Sequence, residues 1–373
     1  MSLYYGLMGY FLIAALILYY GKQHGKKDSI YLFCTMSVLF VLAALRAHTI
    51  GNDTQTYVWL FENISRMSIQ DLNTNSRYEL GYLYYNKAVS IINGNPQVLL
   101  AITSLILIVG YARFIRKYSM NVWLSVYLFL VMGYFGSAVN ILRQCIAMIV
   151  LLYSYSFIKR KKILPFLICV ILATTFHKTA IVFVLAYPIS KMRINYKTIG
   201  AFTAGTIVVY IVFTRALNVL FSYLPIYQYY LGGKYMEGGI RTASVVSFGI
   251  TLCIFLVGLC SGAYKRESKL VNENGIATIK ENNENQIMTI FLMFSLSVTV
   301  ISFKFNLLDR MSEYFSVFSI VYLPNILRNF KNKNLSVLLT AVVIVAFTIY
   351  FTTIQLYRPD WNYIYPYEFF WQH

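Results

Sequence analysis

Apolar runs long enough to cross a bilayer recur along this chain, and that recurrence limits its fold more than any single motif does. They lie near 3–20, 29–46, 96–112, 121–138, 141–158, 163–176, 179–190, 198–218, 243–263, 286–303, 313–327 and 335–354, about 12 candidate spans. With 58% hydrophobic residues, 12% charged residues and a mean hydropathy of +0.59, a soluble globular domain is excluded. The expected fold class is an all-α polytopic membrane protein of about 12 transmembrane helices, one integral membrane domain over 1–373. Residues 3–20 form a full-length apolar span with a Lys-rich exit, without the short h-region and cleavage pattern of a signal peptide, so this first segment is expected to be retained.

The formal net charge of +18 invites a nucleic-acid reading, but the loops account for it. With the N-terminus outside, the loops 21–28, 113–118, 159–162, 191–197, 264–285 and 328–334 become cytoplasmic and hold 20 of the 32 Lys and Arg but 5 of the 14 Asp and Glu. An inner face of +15 against an outer face of +3 is the positive-inside asymmetry, and it places both termini outside. No nucleic-acid partner is expected. Two segments break the span-and-loop rhythm. Residues 47–95 are polar and rich in Tyr and Trp, and are expected to form a partly helical extracytoplasmic loop element. Residues 264–285 are polar throughout and are expected to be a flexible cytoplasmic loop without chemistry.

Five cysteines, Cys34, Cys145, Cys169, Cys253 and Cys260, all fall in apolar runs without CxxC spacing and read as packing residues. No usable GxGxxG, GxxxxGK[ST], HExxH or GxSxG motif is present, so no cofactor and no metal are expected. No internal repeat of the transporter kind is visible.

The most informative charge is Arg143. The basic flanks at 113–117 and 159–162 both belong on the cytoplasmic side, and the 41 residues between them are too many for one crossing. Two spans therefore fit there, with a turn near 137–140, so Arg143 and Gln144 fall in the first turn of the returning helix just under the outer surface. There the helix N-terminus adds free N–H groups and a positive end, which makes the arginine half of an anion site. Asn140, Arg143, Ala147 and Ser154 also follow helical spacing as one small, polar stripe. The competing reading is an arginine that snorkels to the interface.

The same arithmetic locates His177. It is central in the 28 residues between the basic run ending at Lys162 and Lys191. Two crossings of about 14 residues reach only about 21 Å each, short of a ~30 Å hydrocarbon core, so the hairpin tip is expected to be recessed. Imidazole suits proton transfer near neutral pH, although a hydrogen-bonded interfacial histidine is the plainer alternative. Lys178 stands beside it. Arg46, His48, Asp53, Glu79, Arg241, Lys304, Asp309, Arg310 and Glu313 fall in the same outer layer. They describe a cavity rimmed by arginines with a few carboxylates and a histidine, the groups a diphosphate substrate and a general base require.

The stretches "LRAHTIGNDTQTYVWLF" (45–61), "YELGYLYYNKAVS" (78–90), "NILRQCIAMIVLLYSYSFIKRKK" (140–162), "ILATTFHKTAIVFVLAYPIS" (171–190), "DRMSEYFSVFSIVYLPNIL" (309–327) and "YIYPY" (363–367), in that order and spacing, resemble the EpsG family of Wzy-type bacterial polysaccharide polymerases. The resemblance implies a C-type glycosyltransferase-like membrane fold in the bacterial cytoplasmic membrane, with the active site on the extracytoplasmic face and no nucleotide sugar. The implied substrates are undecaprenyl-diphosphate-linked oligosaccharides of an exopolysaccharide, capsule or O-antigen. A chain-length regulator and a flippase are the implied protein partners, and the lipid bilayer is the third. The implied reaction moves a growing glycan from its carrier onto the terminal sugar of another lipid-linked repeat unit. It needs positive charge on the departing diphosphate, a base for the acceptor hydroxyl and lateral access for two lipids.

Against those needs, Arg143 is assigned to the diphosphate with Arg310, Arg241 or Arg46. His177 is the first choice of base, and Asp53 or Glu79 the second. Gln144, Asn140 and Lys178 are assigned to substrate binding. Tyr57, Trp59 and Tyr82 are placed to stack on sugar rings, although interfacial aromatic belts use the same residue types. No carboxylates cluster at metal-ligand spacing on this face, so a metal-independent reaction is expected. A flippase or other transporter and an O-antigen-type ligase are the rival functions. A transporter is expected to carry repeats and midplane charges, and a ligase would use nearly the same site.

This topology puts 47–95, His177 and 357–373 outside and 264–285 inside. Cysteine-accessibility labelling in intact cells is the check: a tag at 275 stays unlabelled until the membrane is permeabilised, and labelling it from outside contradicts the topology.

Overall fold

The computed structural model describes residues 1–20, 26–73, 77–223, 240–262, 264, 267–271, 277–281 and 283–372. Apart from an antiparallel hairpin of Glu267–Val271 with Ala277–Glu281, the regular structure of these residues is helical. That hairpin falls in the segment expected to be a plain connector, the rest of which lies largely outside the described residues. Among the described residues eight helices are long and apolar enough to cross a bilayer, or nine when a pair bent by 56° counts as one span. The chain is a polytopic membrane protein.

In chain order the first helices are α1 (Ser2–Tyr19), α2 (Lys27–Ala44), α3 (Thr54–Arg66), α4 (Ile69–Leu72), α5 (Leu80–Ile92), α6 (Pro96–Tyr118), α7 (Val122–Val131), α8 (Tyr134–Asn140), α9 (Leu142–Lys159) and α10 (Ile163–Phe176). The expected span at 121–138 is the bent pair α7–α8. Three expected spans fall short of spanning length as single helices. Residues 163–176 form the 14-residue α10; 179–190 form a 3-10 helix, Lys178–Leu185, followed by α11 (Ala186–Ile189). At 313–327 the chain divides between two helices, Asp309–Ser316 and Ser319–Arg328, the second with Pro324 inside. A proline there removes one backbone donor and interrupts the helical hydrogen-bond ladder.

The residues fall into two compact units, 1–181 with 332–373, and 182–331. In the first, α6 packs on α2 and α9, α10 on α9, and α3 on α5. The 25-residue helix Lys333–Tyr357 leads into a C-terminal strap at 358–372. The strap is laid against the segment after α2: Ala47 N–H donates to Glu368 O at 2.9 Å, Gly51 N–H to Tyr363 O at 2.9 Å, and Phe370 N–H to Leu45 O at 3.0 Å. The Tyr4 hydroxyl adds a bond to Ile364 O at 2.8 Å.

In the second unit the helix Asn283–Ser302 packs on Tyr196–Tyr223, Thr242–Ser261 and Asp309–Ser316. Phe183, Phe291, Phe315 and Phe318 form an aromatic cluster there, with Phe291 and Phe318 at 5.0 Å between ring centres. Two of the charges expected on the outer rim hold this unit together. The Asp309 carboxylate accepts from the Ser244 and Ser302 hydroxyls, both at 2.5 Å, and Lys304 Nζ donates to Tyr210 O at 2.6 Å.

One close approach in the first unit sets how α5 lies against α10. The two meet at Gly81, where an added Cβ would sit 2.3 Å from Thr175 Oγ1 and 2.7 Å from the Thr175 carbonyl oxygen. The side-chain oxygen can rotate away, but the backbone oxygen cannot. Gly81→Ala must therefore push the helices apart and costs about 1–3 kcal/mol. It should lower the apparent melting temperature of the purified protein, and an unchanged melting temperature would show the contact to be looser than described.

Candidate active site

Helix lengths bring the first two site residues together. α9 runs from Leu142 to Lys159, the connection is short, and α10 ends at Phe176. Short connections make antiparallel neighbours, so α10 returns His177 to the level at which α9 began. Arg143 lies in the first turn of α9, and His177 is the extended residue that ends α10. α5 supplies the third residue: Glu79 is its N-cap, and the bare backbone at Gly81 lets this end of α5 lie against the end of α10.

Glu79 is the hub. Its Oε2 accepts from Arg143 Nη1 at 2.5 Å, and its Oε1 accepts from the Lys178 backbone N–H at 3.1 Å. His177 Nδ1 lies 3.5 Å from the same Oε1. The side chains of Glu79 and His177 are 7% and 8% exposed and that of Arg143 is 21% exposed, so Arg143 is the most exposed of the three. Burial alone would raise the Glu79 carboxyl. The His177 hydrogen bond, the Arg143 charge and the backbone N–H groups of Lys178 and Glu79 itself outweigh it and hold the group down to about 2. A carboxylate so strongly stabilised is a poor proton acceptor, and its geometry suits orientation of the imidazole.

Around the hub lie aromatic rings. The Arg143 guanidinium carbon is 5.1 Å from the centre of the Tyr78 ring, and that of Arg77 is 5.4 Å from the same ring. Tyr57 is buried; burial pushes its phenol up to about 12, while its hydrogen bond and the Arg143 charge pull the other way. Arg143 Nε is buried and makes no hydrogen bond within the protein. Asn140 Oδ1 accepts from the Asp53 N–H at 3.0 Å, which ties the start of α3 to the break before α9.

The structure thus unites His177, Glu79, Arg143 and the Lys178 backbone, with Tyr57, Asn140 and Asp53 adjoining. Gln144 is buried one residue along α9, and the Lys178 side chain is exposed. The Tyr82 ring is fully buried, edge-on to Tyr57 at 5.7 Å, so both rings face protein, whereas Trp59 is 58% exposed. Arg46 is fully buried at the strap, donating to Ala43 O and, at 3.3 Å, to Ser104 Oγ. Arg241 and Arg310 belong to the second unit, where both are exposed. Sequence reading missed Arg77 and Tyr78. Their only signal was position, since "RYE" at 77–79 puts a cation and a ring directly before the carboxylate.

Fold and cluster define a polytopic membrane protein whose ionised residues gather where helices begin and end. The EpsG family model matches residues 29–369 of the 373, and the chain belongs to that family. It is accordingly a membrane protein of the polysaccharide-polymerase type. No curated protein and no solved structure matches it.

Removing one member of a shielded ion pair strands the other, whereas removing both does not. Glu79→Leu and Arg143→Leu should each lower the melting temperature, and the double variant should recover part of the loss. The singles should cost about 1.5–3 kcal/mol, the range for hydrogen bonds to charged groups. Strictly additive losses in this double-mutant cycle would contradict the pairing.

Proposed function

We propose that this protein is a polysaccharide polymerase that joins undecaprenyl-diphosphate-linked repeat units at the extracytoplasmic face of the bacterial cytoplasmic membrane. The observation that carries the reading is the cluster itself, a histidine, a carboxylate and a guanidinium in one shielded site at the ends of α9 and α10. His177 takes the proton of the acceptor hydroxyl as the oxygen attacks the anomeric carbon of the donor sugar. The bond from that carbon to the diphosphate breaks, and the lipid diphosphate leaves with the electron pair. Arg143, which also bonds Glu79 and Tyr57, supplies positive charge to the departing oxygens.

Glu79 is a positioning residue. Its carboxylate accepts from Arg143 and faces His177 Nδ1, favouring the tautomer with the proton on Nδ1 and the lone pair on Nε2. Arg77, 5.4 Å from the centre of the Tyr78 ring that Arg143 also faces, is the second cation assigned to the diphosphate. The proposed reaction uses no divalent metal, because arginines can supply the charge a metal would.

Arg143→Ala should reduce polymer formation by about 10²-fold or more, the scale set by loss of a preorganised oxyanion donor. Arg143→Lys should keep partial activity, because it retains the charge and loses the planar fork. His177→Ala should be comparably damaging while leaving lipid binding intact, and activity of the purified protein should survive EDTA. Normal polymer from a stably inserted Arg143→Ala variant would reduce the residue to an interfacial arginine. Activity abolished by EDTA and restored by magnesium would overturn the metal-free mechanism.

A further inference from the structure

A cavity of about 440 Å³ opens between the loop that precedes α3 and the C-terminal strap, lined by Thr49, Asn52, Gln55, Tyr363, Pro366 and Glu368 among others. Its size is that of a small-molecule site, roughly 300–1,000 Å³. Its walls are built structure. Gly51 N–H donates to Tyr363 O at 2.9 Å, Asn52 Nδ2 to Asp360 O at 2.8 Å, and Thr49 Oγ1 to Glu368 Oε2 at 3.1 Å. Gly51 has φ +90°, and a Cβ there would lie 2.9 Å from Val139 O, so this loop is seated on α8.

The lining has a definite chemistry. None of its side chains is cationic, so a phosphate would meet no counter-charge and would meet the Glu368 carboxylate. The Gln55 amide can donate and accept, and the Asn52 carbonyl and Thr49 oxygens, whose protons go to the strap, can accept, which matches a ring of hydroxyls. Tyr363, 48% exposed, and Pro366 offer apolar faces for the C–H side of a sugar. Gln55 and Trp59 are four residues apart on α3 and share its exposed face, which makes Trp59 the helical neighbour of a lining residue. On the other side of the same helical turn is Tyr57, which bonds Arg143. One helix, about 10–12 Å across, thus separates the pocket from the cluster.

We propose that this pocket, continued by Trp59, is a saccharide subsite that grips the sugars of the acceptor repeat unit through their hydroxyls, an inference that rests on the polymerase reading. The donor's reacting sugar is bonded directly to its diphosphate and belongs at Arg143. The acceptor reacts at the end remote from its own diphosphate, so its sugars require a phosphate-free site.

The test uses the full chain in nanodiscs and, as probe, the oligosaccharide repeat unit released by mild acid from the host's lipid-linked pool, free of lipid and phosphate. Wild type should bind it, as read by ligand-observed NMR, and inorganic diphosphate should not compete. Gln55→Ala/Tyr363→Ala should bind it about tenfold more weakly, the sum of a lost hydrogen bond and a lost ring contact. Trp59→Ala, an exposed position that leaves the fold untouched, should weaken it by a smaller factor. Unchanged affinity in both variants, or displacement by diphosphate, overturns the subsite. If the probe fails to bind while Arg143→Ala still abolishes polymer, the subsite falls and the polymerase reading stands. If Arg143→Ala and His177→Ala make normal polymer while the pocket variants still lose the probe, the subsite stands and the assignment of the reaction to Arg143 and His177 falls.

Discussion

The contact on which the site depends is the 2.5 Å bond between Arg143 and Glu79. In a membrane protein an ionised side chain away from water is tolerated only when paired or hydrogen-bonded. Glu79 meets that requirement three ways, through the arginine, the Lys178 N–H and the imidazole, and stays charged as a result. The pairing also fixes directions. The guanidinium is held between Glu79 and Tyr57, and the imidazole is held with Nδ1 toward the carboxylate. In the proposed reaction the group that holds the donor and the base are thereby aimed from one hub before substrate arrives, which is the preorganisation that electrostatic catalysis requires.

Three backbone features deliver those side chains. α10 folds back along α9 across a short connection, so Arg143 and His177 meet at Glu79. Gly81 allows α5 to reach the backbone of Thr175, two residues before His177. Asn140 binds the Asp53 N–H and so couples the break before α9 to the loop that the strap clamps. Each is a local device with a separable cost, and the polar centre is supported by contacts whose side chains take no part in chemistry.

Much of this was legible in the sequence. Basic flanks and span lengths sufficed to place Arg143 and His177 at helix ends on one level, because both follow from counting residues against bilayer thickness. Glu79 was visible as an outer-layer carboxylate, but its partner is 64 residues away and no periodicity encodes that contact. Arg46 misled because an arginine just after a span looks interfacial, whereas the strap covers it; strap pairing depends on tertiary contacts between residues more than 300 positions apart. The spans at 163–176, 179–190 and 313–327 were read from hydropathy, which does not register a 3-10 segment or the interruption at Pro324.

Transfer of a glycan between lipid diphosphates by the proposed cluster is open to reconstitution of the purified protein in liposomes with a single lipid-diphosphate-linked repeat unit, followed by mass analysis of all products. A polymerase gives a ladder of lipid-linked oligomers, with one lipid diphosphate released for each new glycosidic bond. Repeat units that cross the bilayer unjoined, or glycan that appears only on a non-lipid acceptor, would rule the polymerase out.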